Sequence, residues 1–221
     1  TVAAYLGVIA VGAALLMIAG EFDLSVGSMI GFAGMMMAIP ILEWGWSPMT
    51  AVLFAFACAM MLGALNGWIV VRTGLPSFIV TLAFFFILRG LSLAIAVLLT
   101  GKTILSSNGD VILREAMQAD PMVALLFMGH VLTGLFDACA SLGWMAARDD
   151  GTALAIGIPK VVVWWLVLTA VGAFTLARTR FGNWILAVGG DANAAKNVGI
   201  PVSSVKISLF MLTAFCATLF A

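Results

Sequence analysis

The chain has 221 residues, of which 64% are hydrophobic and 9% charged, with a net charge of zero and a mean hydropathy of +1.20. Soluble domains carry about 25% charged residues, so this composition excludes a soluble globular domain and points to an integral membrane protein. The zero balance offers no basic footprint for nucleic acid, and Cys58, Cys139 and Cys216 have neither metal nor redox spacing. Apolar runs are cut at Thr1 and at Ala221, with no initiator Met, signal peptide or basic leader. The expectation is therefore an all-α, polytopic transmembrane bundle, part of a longer chain at both ends.

A spanning helix needs about 20 apolar residues. Thr1 to Ala19 is one such run, ending in Gly20-Glu21-Phe22-Asp23. A second run, Leu24 to Leu42, follows with no normal polar connection, and its first turns carry Ser25, Gly27, Ser28, Gly31 and Gly34. The two runs predict a helix broken near Gly20–Ser28. Trp44 and Trp46 suit an interfacial belt. Ser47-Pro48 predicts the start of a third helix, with Ser as N-cap and Pro in the first helical position. Gly63 and Gly67 in that helix have the spacing that admits a second backbone, and Asn66 between them can hydrogen-bond across the contact. After the turn Arg72–Pro76, a fourth helix is predicted over Ser77 to Thr100, with Arg89 near its middle.

Residues 101–158 hold Lys102, Arg114 and Arg148 against six acids, Asp110, Glu115, Asp120, Asp137, Asp149 and Asp150. Asn108-Gly109 and Asp150-Gly151 are turn signals. Pro121 to Met145 is apolar but interrupted, and reads either as a span or as a surface helix. Pro159 to Leu176 is a fifth span, and a sixth begins near Ile207. Between them lies 178–206, where Arg178, Arg180, Lys196 and Lys206 meet one acid, Asp191. The positive-inside rule puts this stretch in the cytoplasm, and Arg72 with it. Parity then requires zero or two crossings in 101–158. Zero is simpler, which makes 101–158 an external loop with an interfacial or re-entrant helix.

Within 178–206, Asp191 is an expected N-cap, Gly199 the left-handed residue past the helix end, and Pro201 the stop. A short capped helix with basic flanks between two spans suits docking of a soluble partner. Ala192, Ala194 and Ala195 offer small side chains for a partner's groove.

Few residues carry chemistry. Gly101-Lys102-Thr103 ends a relaxed phosphate-loop pattern, but a true loop follows a strand and opens a helix, and here the pattern finishes a membrane helix. No metal site, cofactor motif or catalytic constellation is present, so an enzyme is not expected. Charges at membrane depth face protein or water, so Glu21 and Asp23 at the break, with Ser25, Asn66 and Arg89, are the candidate lining of a translocation path. The plainer alternatives are a solvated interfacial loop for the two acids and a structural ion pair between Arg89 and Asp23 or Glu21. His130 stands alone and reads as a packing or surface residue. A secondary transporter can also use broken helices and a midplane acid, and remains the alternative.

Three passages resemble a known family. Glu21-Phe22-Asp23-Leu24-Ser25-Val26-Gly27-Ser28 is one. Gly63-Ala64-Leu65-Asn66-Gly67, with Leu75-Pro76-Ser77-Phe78-Ile79-Val80-Thr81-Leu82 and Arg89-Gly90, is the second. Thr179-Arg180-Phe181-Gly182, then Ala187-Val188-Gly189-Gly190 and Ala194-Ala195 through Gly199-Ile200, is the third. Together they resemble the membrane permease of ribose-type sugar importers, a branch of the bacterial ATP-binding cassette transporters. Glu21-Phe22 departs from that family's usual Gly-Ile, and 101–158 is longer than its usual outer loop. The resemblance implies a multi-pass protein of the bacterial inner membrane. It implies two permease copies forming the path, a periplasmic sugar-binding protein, and cytoplasmic ATP-binding subunits that hydrolyse the ATP. Later helices would complete each subunit. It also implies that Asp191–Gly199 is the coupling helix, with Asp191, Ala194, Ala195, Lys196 and Gly199 as its contact residues; the plainer alternative is a solvated loop that only connects helices.

Overall fold

The computed structural model describes residues 2–101, 107–144, 146, 153–154 and 157–221. Lys102, Thr103 and the turn signal at Asp150-Gly151 fall outside them. Among the described residues, five helices are long and apolar enough to cross a membrane. They are α2 (Val26–Trp44), α3 (Pro48–Thr73), α4 (Ser77–Thr100), α8 (Lys160–Arg178) and α11 (Val202–Phe220). The first apolar run forms α1 (Val2–Ile18), of 17 residues, which is about 26 Å of helix.

The bundle is built around α11. Its most extensive partner is α3, and α1 and α2 lie on its other sides. The two glycines of the predicted close approach explain the first contact. A Cβ on Gly63 would stand 2.7 Å from the Phe210 carbonyl oxygen, and one on Gly67 would stand 2.9 Å from Ile207 Cα. With little hydrophobic drive between helices in lipid, such backbone approach is what van der Waals packing requires. The helix α1 runs antiparallel to α11: Tyr5 meets Phe220 edge-on, while Gly12 lies against Thr213 and Cys216.

Between α4 and α8 the chain forms α5 (Ser107–Ala119), α6 (Pro121–Leu126) and α7 (Thr133–Ser141). A two-stranded antiparallel pair, β1 (His130–Val131) with β2 (Ile158–Pro159), closes this lobe and is a small exception to the all-α expectation. The helices have 13, 6 and 9 residues, and each is too short to cross a bilayer. Asn108-Gly109, expected as a turn, lies in the first turn of α5. Amides there have no intrahelical partner in any case, so the local turn preference gives way cheaply.

Ser47 occupies the N-cap position of α3 with extended backbone but makes no side-chain cap. Its hydroxyl pairs with Thr50 Oγ1. The α3 N-terminus instead gives its Met49 N–H to the carboxylate of Asp120, which also caps α6 through Met122 and Val123. One acid thus ties the α5–α7 lobe to the bundle.

The polar stretch after α8 folds as α9 (Arg180–Gly190) and α10 (Ala192–Asn197). Thr179 caps α9 by accepting the Gly182 N–H at 3.0 Å. Gly182 lies directly on the backbone of Thr175 and Leu176, so α9 can fold back on α8. Asp191 caps α10 by accepting from Asn193 at 2.8 Å and Ala194 at 3.0 Å. Gly199 takes φ +86°, the left-handed conformation that suits glycine after a helix end.

Candidate functional site

The break between α1 and α2 covers residues 19–25, with Ala19, Glu21 and Ser25 buried and Gly20, Phe22 and Leu24 exposed. It meets α3 at Asn66, and α3 continues to Thr73, about 10 Å further toward the α10 end. Gly20, at φ +82°, turns the chain.

Four elements hold this segment. The acid Asp23 stands ahead of α2, where a negative charge suits the helix N-terminus. Its Oδ1 accepts from Ser25 N–H at 2.8 Å and Ser25 Oγ–H at 2.6 Å, and its Oδ2 accepts from Thr213 Oγ1–H on α11 at 2.8 Å. Ser25, with no exposed surface, also accepts from Asn66 Nδ2 at 3.4 Å. Asn66 is 1% exposed. From α4, Ser77 Oγ accepts the Phe22 N–H at 3.0 Å, and Thr81 Oγ1 donates to the Phe22 carbonyl at 3.4 Å. Both backbone groups of Phe22 are therefore satisfied by side chains, as a non-helical segment within a bundle requires.

The fourth hold comes from the α9–α11 side. Gly189 packs directly on the carbonyl of Ile18 and the Cα of Ala19. Glu21, only 7% exposed, accepts a short charged hydrogen bond from Lys206 Nζ on α11. This is the one ion pair among the described residues. The pair sits in the wall of a cleft of about 620 Å³ between the α3–α4 turn and α10–α11, which Asn193 and Lys196 also line.

Of the expected path residues, the structure brings Asp23, Ser25 and Asn66 into one hydrogen-bonded network, with Ser25 and Asn66 buried and Asp23 half-buried, and places Glu21 beside it. It does not bring Arg89 there. The alternative reading, an ion pair of Arg89 with Asp23 or Glu21, is corrected: Glu21 is taken by Lys206, Asp23 by Ser25 and Thr213, and Arg89 is exposed. The inward stripe of α4 runs Ser77, Val80, Thr81, Phe84, Leu88, Ser92 and Ala96, and Arg89 lies beside it. The sequence reading of Ala195 is also corrected. It is 3% exposed and packed in the core, so it is not free to enter a partner's groove. The open surface of α10 carries Asn193, Ala194, Lys196 and Asn197, continued by Val198 at 77% exposure.

Sequence reasoning missed Ser77, Thr81, Lys206 and Thr213 as holders of the break. Ser77 and Thr81 carried a readable signal, two hydroxyls one helical turn apart just after Pro76. Thr213 carried none, because its partner is 190 residues away.

Five apolar spans, an internal break sealed by side chains and a capped helix outside the spans together define a multi-pass membrane protein with a built helix discontinuity. The chain belongs to the family described as the branched-chain amino acid transport system / permease component, which matches residues 1–221. It is 32% identical over 216 residues to the inner membrane ABC transporter permease protein YjfF of Escherichia coli K12, covering 98% of this chain and 55% of that one. It is 30% identical to the xylose transport system permease protein XylH of Haemophilus influenzae, covering 93% of this chain and 61% of that protein. The ribose import permease protein RbsC of Escherichia coli K12 is 28% identical, over 96% of this chain and 55% of its own length. The chain thus spans a little over half the length of these curated relatives. No solved structure matches it.

Proposed function

We propose that this chain is the core of the membrane permease of an ATP-driven sugar importer in the bacterial inner membrane. Two copies form the path for a monosaccharide delivered by a periplasmic binding protein, and ATP-binding subunits dock on α10 from the cytoplasm. Residues 101–158 lie outside and 178–206 inside. The observation that carries the reading is the grip of α9–α11 on the break: α10 lies between Gly189, which touches Ile18, and Lys206, which holds Glu21. A push on α10 therefore reaches the discontinuity from both flanks. The relatives named for xylose and ribose transport support a sugar as cargo.

Arg89 supports a path between two copies. It is the thirteenth of 24 residues in α4 and is exposed at the edge of the inward stripe. A lipid-facing charge at that depth costs about 2.5–3.5 kcal/mol on insertion scales, whereas water or a second copy accepts it. Gly27 and Gly31 on the adjacent face of α2 are exposed, and a Cβ on Gly31 would meet nothing within 4 Å. The half-buried Asp23 and the buried Ser25 and Asn66 fix the break behind this face.

The test is reconstitution of the full permease with its ATP-binding subunits and binding protein in liposomes. Labelled sugar should accumulate only with ATP inside the cytoplasmic-side compartment and binding protein on the other side. Accumulation driven by an ion gradient without the ATP-binding subunits overturns the reading.

A further inference from the structure

We propose that Glu21 and Lys206 are a positioning pair, a latch that passes movement of α10 to the helix break and separates as the path opens. The inference rests on the permease reading above and assigns the residues through which its mechanical step runs.

Three observations combine. The pair is the one ion pair among the described residues, and it joins the break to the second turn of α11. A part-buried ion pair is a poor source of stability, because desolvation offsets most of the attraction. Its use is to select one arrangement. The pair is also not sealed in: its side chains are 10% and 19% exposed, and both line the cleft beside α10. When the two part, each charge can be hydrated in that cleft, so opening does not strand a bare charge. A pair deep in the core lacks this property.

The third observation is the connection to α10. The Ile200 N–H bonds to the Ala195 carbonyl, and Ala195 and Val205 share the buried core. Pro201 follows, and Lys206 stands on the next turn of α11. Displacement of α10 therefore moves the start of α11, and Lys206 with it, relative to Glu21. Asp23 behaves differently: its hydrogen bonds go to Ser25 of its own segment and to Thr213, two turns further along α11. Asp23 pins the break, and Glu21 reports to α10.

The experiment uses the full permease assembled with its ATP-binding subunits and binding protein in liposomes. It measures both sugar uptake and ATP hydrolysed per sugar carried. Glu21→Gln and Lys206→Gln should each leave co-purification of the ATP-binding subunits unchanged and raise ATP hydrolysed per sugar about fivefold or more, the lower range of ordinary site-to-site coupling. The reversed pair, Glu21→Lys with Lys206→Glu, should return that ratio toward wild type. A merely structural role lowers uptake and hydrolysis together and leaves the ratio unmoved. Should the neutral variants fail to accumulate, the reversed pair decides, since it keeps two opposite charges: a wild-type ratio supports the latch and an uncoupled one overturns it. Neutral variants with the wild-type ratio overturn it as well. Wild-type permease without ATP-driven uptake sinks the permease reading and the latch together, whereas intact wild-type uptake with indifferent variants sinks the latch alone.

Discussion

Gly189 and Gly190 are neighbours in sequence and opposites in space. An ideal Cβ on Gly189 would lie more than 1 Å inside the 3.0 Å closest approach that real Cβ atoms make, against the Ile18 carbonyl oxygen. The Ile18 carbonyl carbon would stand 2.9 Å away and Ala19 Cα 3.3 Å. All three are backbone atoms, so no rotamer change can relieve the overlap. At Gly190 nothing lies within 4 Å. Overpacking costs about 1–3 kcal/mol where side chains can adjust, so Gly189→Ala, against rigid backbone, should cost about 3 kcal/mol or more. The alternative is that α9 lifts off the break. Gly190→Ala should be neutral or stabilise by about 0.4–1 kcal/mol, through lower chain entropy in the unfolded state. Thermal unfolding of the two purified variants in detergent, followed by tryptophan fluorescence, compares them directly. Sugar uptake should fall with Gly189→Ala and hold with Gly190→Ala. If the two variants unfold at the same temperature and transport alike, α9 does not bear on the break and the proposed route from α10 fails.

Three further expectations follow from the same contacts. Asp23→Ala removes the acceptor of three hydrogen bonds and should destabilise the permease by about 2–4 kcal/mol, because bonds to a charged group are worth about 1.5–3 kcal/mol each and partly re-form with neighbours; Asp23→Asn should cost less than half of that, read in the same unfolding assay. Ala195→Arg places an unpaired charge at a site 3% exposed and should prevent accumulation of folded permease, whereas Ala194→Arg, on the open side of α10, should leave folding intact and reduce co-purification of the ATP-binding subunits. Equal behaviour of the two variants would contradict the orientation of α10. In a cysteine-free background, a cysteine at exposed Met122 should react with an impermeant thiol reagent in intact cells and one at Asn193 only after permeabilisation; the reverse pattern inverts the topology.

Much of this molecule is local, and much of what is local was legible, although Ser47 makes no side-chain cap and Asn108-Gly109 lies in a helix. Hydropathy and length mark α2, α3, α4, α8 and α11 as spans, because a bilayer asks only for about 20 apolar residues in a row. The caps at Asp191 and Gly199 are readable for a similar reason: the carboxylate bonds amides two and three residues ahead, and glycine alone takes φ +86° without strain. The break was legible too, from two acids between apolar runs with no linker. Tertiary structure decided everything that depends on which helix lies between α1 and α2. That helix is α11, and its passage beside the break gives Glu21 to Lys206 and Asp23 to Thr213, pairs 185 and 190 residues apart that no periodicity in the chain announces. It also turned Ala195 inward, since a six-residue helix has only one or two positions for its anchor and composition does not say which. Arg89 shows the same division. Its depth in α4 is written in the sequence, but whether it faces its own bundle depends on the stripe that α2 buries, and that stripe passes one residue to its side.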